Sequence, residues 1–154
     1  MRNLLRLICE QQGFNFDSYH KKMKFPFSKI FRSQTKAIPR VVKKQLENCF
    51  HNAKNIEWEV KNDIYEAIFY LSDVEHIAQF SKKGELLEYK KNLWPAELPG
   101  SIKAAGTTYG EIMNGIIIYK GEEVFYEVII RDEKLDRFEY LFSPNGGLLK
   151  TVSL

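Results

Sequence analysis

The sequence contains few of the residues that build most catalytic and metal sites. It has two cysteines, Cys9 and Cys49, and three histidines, His20, His51 and His76. Two irregularly placed cysteines form neither a disulfide framework nor a zinc site, although a single disulfide between them stays open. The histidines do not share the helical or hairpin spacing of metal ligands. We therefore expect no metal and no cofactor.

The sequence also lacks an apolar run of transmembrane length. The short apolar stretch near the start, within residues 4–9, is interrupted by Arg6, and Glu10 follows where a secretory signal has small residues for cleavage. We therefore expect no membrane-spanning segment and no intact signal peptide in this chain.

Clusters typical of enzymes are missing as well. Gly146-Gly147 is not followed by a helix, so it does not form a phosphate-binding loop. Cys49 and His51 lie two residues apart, and on a helix their side chains would point in different directions. Glu66 and Glu127 occupy equivalent positions, which duplication explains without acid–base chemistry. We expect a protein that is not an enzyme.

Charge is divided unevenly along the chain. Residues 1–44 contain 11 Lys/Arg and 2 Asp/Glu, a net charge of +9, whereas residues 45–154 contain 12 and 18, a net charge of −6. A basic leader can contact nucleic acid or an anionic membrane, lie on the acidic body, or stay solvated. Because no recognition helix or RNA-binding aromatic pattern accompanies the charge, we do not expect a nucleic-acid partner.

Three motifs occur twice in the same order, about sixty residues apart. The first copies are Ile38-Pro39, Tyr65-Glu66 and Phe80–Leu87, and the second copies are Leu98-Pro99, Tyr126-Glu127 and Phe142–Leu149. An ordered repetition of this kind is typical of a duplicated unit. We therefore predict a basic, aromatic leader at 1–37, a first repeat at 38–92 and a second repeat at 93–154, with 38–154 forming one structural domain.

Apolar periodicity predicts one helix and four strands in each repeat. The helices are expected at 38–53 and 99–105, the second ended by Gly106. The strands are expected at 56–60, 64–71, 74–80, 86–90, 112–119, 124–131, 137–142 and 148–153. The fold class is therefore α+β, an antiparallel sheet of about eight strands with the helices packed on one face.

Three local motifs carry a family resemblance. Residues 52–58 read Asn-Ala-Lys-Asn-Ile-Glu-Trp, residues 65–67 read Tyr-Glu-Ala, and residues 84–87 read Gly-Glu-Leu-Leu. Together with the duplication, they resemble the PepSY-like, beta-lactamase-inhibitor-like family over residues 38–150. The resemblance implies a small periplasmic or secreted bacterial protein in which both repeats form one sheet. It carries no set of functional residues.

Alternation assigns each strand residue to one of two sheet faces. The residues predicted to face the helices are Tyr65, Ala67, Phe69, Phe80, Tyr126, Val128, Ile130, Phe138, Tyr140 and Phe142. The residues predicted on the opposite face are Ile64, Ile68, Tyr70, Ile77, Phe125, Ile129 and Leu141. If bare, this apolar face is a candidate binding surface. Alternatively, the leader or a second copy covers it, or the face assignment is reversed.

These observations favour a non-enzymatic binding module. The leading hypothesis is that a sheet surface holds a protein, with inhibition of a secreted or envelope enzyme as its role. The alternative is a small-molecule-binding or sensory domain with a pocket between helices and sheet. Either function is compatible with a monomer or a homodimer, and neither identifies the partner.

Overall fold

The structure, a computed structural model, describes residues 37–154. Eight strands form one antiparallel sheet in chain order, and two α-helices accompany them, which confirms the predicted α+β class. The chain divides into two compact units between Glu88 and Tyr89, and each unit is described by itself. The predicted leader lies outside the described residues except for Ala37, and the boundaries of the two repeats stay predictions.

Between residues 37 and 88, the described part of the first unit, one helix is followed by three strands joined by tight turns. Its elements are α1 (Arg40–Cys49), β1 (Lys54–Lys61), β2 (Ile64–Leu71) and β3 (Val74–Ser81). Both hairpin turns have two residues with positive φ, 50° and 60° at Asn62-Asp63 and 48° and 64° at Ser72-Asp73. Asn, Asp and Ser accept this conformation at lower cost than most residues, so the predicted turns form two-residue hairpins.

The core of the first unit lies between α1 and the strands β2 and β3. Val42, Leu46 and Cys49 follow one another at helical spacing and are buried. Phe50 directly follows α1, and its ring lies 4.9 Å from that of Phe69. The predicted helix-facing residues of this unit are all buried: Tyr65, Ala67, Phe69 and Phe80.

The second unit has a shorter helix and the remaining strands. After β4 (Leu86–Leu93), which begins before the division of the chain, come a 3₁₀ turn (Pro95–Glu97) and α2 (Gly100–Thr107). The strands that follow are β5 (Glu111–Lys120), β6 (Glu123–Arg131), β7 (Arg137–Phe142) and β8 (Leu148–Ser153). In the part of the chain that the structure describes, no helix is both long and apolar enough to cross a membrane.

Several expectations at element ends were wrong. The first helix, expected over 38–53, spans Arg40–Cys49 and is followed by a turn. Gly106 does not end α2 but lies within it, where a Cβ atom would come 3.0 Å from Cδ1 of Ile112. The glycine therefore permits close packing of helix on sheet rather than helix termination. Strand β4 continues to Leu93 rather than ending at Lys90, because Leu93 packs against the core of the second unit.

The core of the second unit combines α2 with the residue that precedes the helix start. The buried cluster consists of Leu98, Ile102, Val128, Ile130, Tyr140 and Phe142, with Tyr126 and Phe138 packed against it. These include every helix-facing residue predicted for this unit. Leu98 lies directly over Gly115 of β5, where a Cβ atom would come 2.7 Å from Cδ2 of the leucine.

Candidate binding surfaces of the sheet

The first unit presents an apolar patch on the sheet face opposite α1. Buried and more exposed residues alternate along β2, and its helix-facing members are Tyr65, Ala67 and Phe69. The first-unit patch comprises the alternate residues Ile64, Ile68 and Tyr70, together with Ile77 of β3, which pairs directly with Ile68. Ile64 is 38% exposed and Tyr70 is 37% exposed. The strand register therefore brings all four predicted residues of this unit onto one face.

Acidic side chains surround the first-unit patch. Glu57 pairs with Ile68, and Glu59 pairs with Glu66, so β1 adds two carboxylates to the same face. The amide of Gln79 donates a hydrogen bond to Glu66 over 2.6 Å. Two lysines, Lys54 and Lys61, pair with members of the patch and share its face, so the charge around the apolar centre is negative only on balance.

The Tyr70 hydroxyl forms one side of this acidic rim. It donates a 3.0 Å hydrogen bond to Oε2 of Glu75, the residue opposite it on β3. Burial, then the hydrogen bond to Glu75, and then the charges of Glu75 and Glu57 raise the pKa of Tyr70. Each of these effects favours the neutral phenol, so Tyr70 acts as a hydrogen-bond donor on this face.

The second unit carries a separate apolar surface on the face opposite α2. Phe125 and Ile129 of β6 lie on it, and Leu141 of β7 is opposite Glu127, which belongs to the same face. Phe125 and Leu141 are half-buried, whereas Ile129 is only 8% exposed. All three predicted residues share this face, but Ile129 has little surface to offer.

Sequence reasoning missed two members of the second-unit surface, Ile116 and Ile118 of β5. They pair with Glu127 and Phe125 and so belong to the same face. Residues 116–118 are all isoleucine, which removes the polar alternation that distinguishes the two faces of a strand. The register shift between Ile112 and Asn114 also changes the phase of the strand. The run of isoleucines shows that both faces of β5 are apolar, but not which residue belongs to which face.

The two described histidines lie in different surroundings. His51 is exposed in the turn after α1, and His76 is buried against the ring of Phe69 at a centroid distance of 5.6 Å. Residues 37–154 contain no group of three or more His, Cys, Asp or Glu side chains that could hold a metal ion. Glu66 lies on the sheet face opposite α1, is half-buried and accepts the hydrogen bond from Gln79.

Cys49 is fully buried at the C-terminal end of α1 and is disulfide-bonded. The amide of Gln45 donates a hydrogen bond to its sulfur over 3.2 Å. The chain has one other cysteine, Cys9, which lies outside the described residues, as does His20. Because the sulfur of Cys49 is in a disulfide, it is not a thiol nucleophile in this structure.

The helix-on-sheet architecture is a fold shared with several solved bacterial structures. The chain aligns with a BLIP-like protein from Bacteroides fragilis at a TM-score of 0.66 and 20% identity, over 79% of this chain and 89% of that one. A DUF2874 family protein from Bacteroides uniformis gives 0.67 and 17%, over 75% and 88%. A candidate periplasmic protein from Bacteroides eggerthii gives 0.69 and 18%, over 77% and 90%.

These similarities establish the fold and no more, because proteins of one fold host unrelated functions. The BLIP-like part of the expected resemblance is supported, whereas the PepSY part stays a prediction. No protein-family model and no curated protein matches the chain.

Proposed function

We propose that the chain is a non-enzymatic binding module that holds a protein partner on the first-unit patch. The observation that carries the proposal is the row formed by Ile64, Ile68, Tyr70 and Ile77 on the face opposite α1. When a partner buries these apolar side chains, their removal from water favours binding by about 25 cal/mol per Å² of buried surface. Tyr70 adds the amphipathic side chain that is enriched in binding hot spots.

The acidic rim narrows the chemistry of the partner. Glu57, Glu59 and Glu66 lie beside the apolar row, and Glu75 binds the Tyr70 hydroxyl. Because Lys54 and Lys61 also lie on this face, a partner that fits it has an apolar centre bordered by more Lys and Arg than Asp and Glu. Charge complementarity of this kind chiefly accelerates association and excludes wrong partners, whereas the buried apolar centre supplies most of the affinity.

The second-unit surface is a second candidate for binding, described by itself, with Phe125 and Leu141 as its more accessible members. We place the function in the cell envelope or outside the cell, and we assign the partner to the enzymes found there. The support for this assignment is the fold shared with a BLIP-like protein and with a candidate periplasmic protein.

Affinity capture with paired variants tests the proposal. The full chain, the double variant Ile68→Asp/Ile77→Asp and the control Leu135→Asp are immobilised and incubated with envelope extract, and retained proteins are identified by mass spectrometry. Leu135 is 69% exposed in the β6–β7 turn and belongs to neither surface, so it controls for the added charge. We expect one set of proteins on the wild type and on the control that is lost from the double variant. Equal retention on all three, or retention on none, contradicts the proposal.

Calorimetry with the purified partner then tests the chemistry of the contact. Burial of the apolar row predicts a negative heat-capacity change on binding. The acidic rim predicts an association rate that falls as salt is added, and Glu57→Gln/Glu59→Gln should reduce that salt dependence. An association rate that is independent of salt would contradict the expectation that basic residues border the apolar centre of the partner.

A further inference from the structure

Within residues 37–154, no strand pairs with the outer edge of β8. In the sheet order β8 is the last strand, and all of its residues except Val152 are exposed. It carries one charged residue, Lys150, and no proline. At the opposite end of the order, β1 has four charged residues among eight and a register shift between Lys54 and Glu57. Charges block edge-to-edge pairing, so β1, with four charged residues, is better protected than β8, with one. The ladder of β7 with β8 has a register shift of its own between Leu141 and Phe142, and the part of β8 in regular register is 150–153.

The pairing of β7 with β8 shows which backbone groups of β8 remain available. The Leu154 amide donates a hydrogen bond to the Arg137 carbonyl oxygen over 3.0 Å. Hydrogen-bonded and non-hydrogen-bonded pairs alternate along an antiparallel ladder. Thr151 and Ser153 are therefore in the non-bonded pairs of the register, opposite Tyr140 and Phe138. Their N–H and C=O groups point away from β7, toward the open edge.

We propose that β8 pairs in antiparallel orientation with β8 of a second copy of this chain, with Thr151 opposite Thr151 of the partner subunit. In this register both threonines use their outward N–H and C=O groups, and the two side chains form a favourable Thr–Thr pair. Lys150 then lies opposite the partner's Val152, and by symmetry Val152 lies opposite Lys150 of the partner subunit. The strand is thus self-complementary, because its single charge does not face its own copy.

This interface is separate from the first-unit patch and goes beyond the proposed function. One pair of six-residue strands buries less than the about 1,200 Å² that marks the lower end of stable interfaces. We therefore expect a weak dimer in rapid exchange with monomer, which assembles as the concentration rises.

Two substitutions of Val152 with opposite expected signs test the register by sedimentation of the full chain across a concentration series. Val152→Glu places a carboxylate opposite Lys150 of the partner subunit and should lower the dimer dissociation constant, whereas Val152→Lys places like charges together and should raise it. Within the monomer Val152 lies opposite Glu139, so the lysine is the better tolerated of the two. If the two variants acted only through the stability of the monomer, Val152→Lys would therefore dimerise more strongly than Val152→Glu. Added salt should reduce the difference between the variants.

Two substitutions of Thr151 test the backbone bonds. Thr151→Pro removes an amide hydrogen that β7 does not use, so the monomer should keep its circular dichroism spectrum while dimerisation is lost. The matched variant Thr151→Val keeps the amide and should still dimerise. Hydrogen exchange at Thr151 and Ser153 should slow as wild-type concentration rises. A wild type that is monomeric at every concentration, a folded Thr151→Pro variant that dimerises as the wild type does, or Val152 variants in the reverse order overturns the proposal.

Discussion

The two units cover one face of their strands in different ways. In the first unit, ten helical residues bury Val42, Leu46 and Cys49, and Phe50 adds a ring directly after the helix. In the second unit, an eight-residue helix buries only Ile102 and Gly106. Leu98 before α2 and Tyr109 after it supply the missing contacts, and the Tyr109 ring lies 4.7 Å from that of Tyr140.

The difference shows that the segments before and after a short helix can supply packing contacts that the helix itself does not make. The aromatic residues that flank the two helices therefore differ in exposure: Tyr109 is 40% exposed, whereas Phe50 is almost fully buried. Burial of a side chain sets the cost of removing it. The first unit should therefore depend on a few buried residues, and the second on close packing plus partly exposed rings.

Truncation of the buried residues that each helix supplies should have the largest effects. Phe50→Ala removes a ring packed on Phe69 and should lower the free energy of unfolding by about 3–5 kcal/mol. Ile102→Ala should lower it by about 2–4 kcal/mol, because the deleted volume is smaller. Denaturant titration measures both, with Lys43→Ala on the exposed side of α1 as a control. A larger loss for Ile102→Ala would reverse the comparison between the units.

Adding one methyl group at Gly115 tests how tightly Leu98 packs against β5. Gly115→Ala forces the new Cβ against the buried Leu98 side chain and should lower the free energy of unfolding by about 1–3 kcal/mol. The same change at Gly100, where nothing lies within 4 Å of the added carbon, should be neutral or slightly stabilising at the start of α2. If thermal melts show equal effects at the two glycines, the packing of Leu98 on β5 is not tight.

Removal of the exposed ring in the second unit should have a smaller effect. Tyr109→Ala eliminates the stack on Tyr140 and should cost about 0.5–1.5 kcal/mol, the usual range for aromatic pairs. Tyr109→Phe keeps the ring and should retain most of the stability. Near-ultraviolet circular dichroism should change for the alanine variant alone, because the asymmetric environment of Tyr140 depends on its neighbour. An unaltered melting temperature for Tyr109→Ala would show that the ring contributes nothing.

The smallest effect concerns the titration of tyrosines at high pH. Burial, followed by Glu75 and Glu57, raises the pKa of Tyr70. Burial is also the largest cause of the raised pKa of Tyr119, and it raises the pKa of Tyr126. Because a raised pKa keeps the proton on the folded state, the unfolded state loses its proton first. Stability should then fall as pH rises through the ordinary tyrosine pKa of about 10 and the higher folded value.

Replacement of Glu75 separates these causes. Glu75→Gln should bring the pKa of Tyr70 back toward its ordinary value and leave Tyr119 and Tyr126 unaltered. Ultraviolet titration of phenolate absorbance, with Tyr70→Phe to identify the transition, measures the change. A Tyr70 transition that does not move would mean that burial alone sets it.

Sequence reasoning succeeds where the turn residues and the alternation of apolar and polar residues indicate the same strand. Around β2 and β3, polar two-residue turns bound alternating strands, and the predicted span Ile64–Leu71 matches the structure at both ends. The same agreement places Ile64, Ile68, Tyr70 and Ile77 on one face. Their role in binding stays a prediction, because a strand pattern gives the direction of a side chain but not what contacts it.

Sequence reasoning fails where tertiary packing overrides local signals. Gly106 has the appearance of a helix stop but serves close packing against Ile112, a contact between segments that helix-ending rules do not include. On β5 both faces are apolar and a register shift changes the phase, so Ile116 and Ile118 were not assigned to a surface. In each case the missing information was a contact with a neighbouring strand.

The consecutive pairing of strands has a consequence for the kinetics of folding. In the first unit β1 pairs with β2 and β2 with β3, and in the second unit β5 to β8 pair in the same successive way. Each strand therefore finds its partner across one short turn, and little chain entropy is lost before the first hydrogen bonds form. Such contacts are close in sequence, which predicts faster folding than in sheets of equal size with crossover connections. Each unit can grow one hairpin at a time, beginning at the tight turns on a microsecond scale.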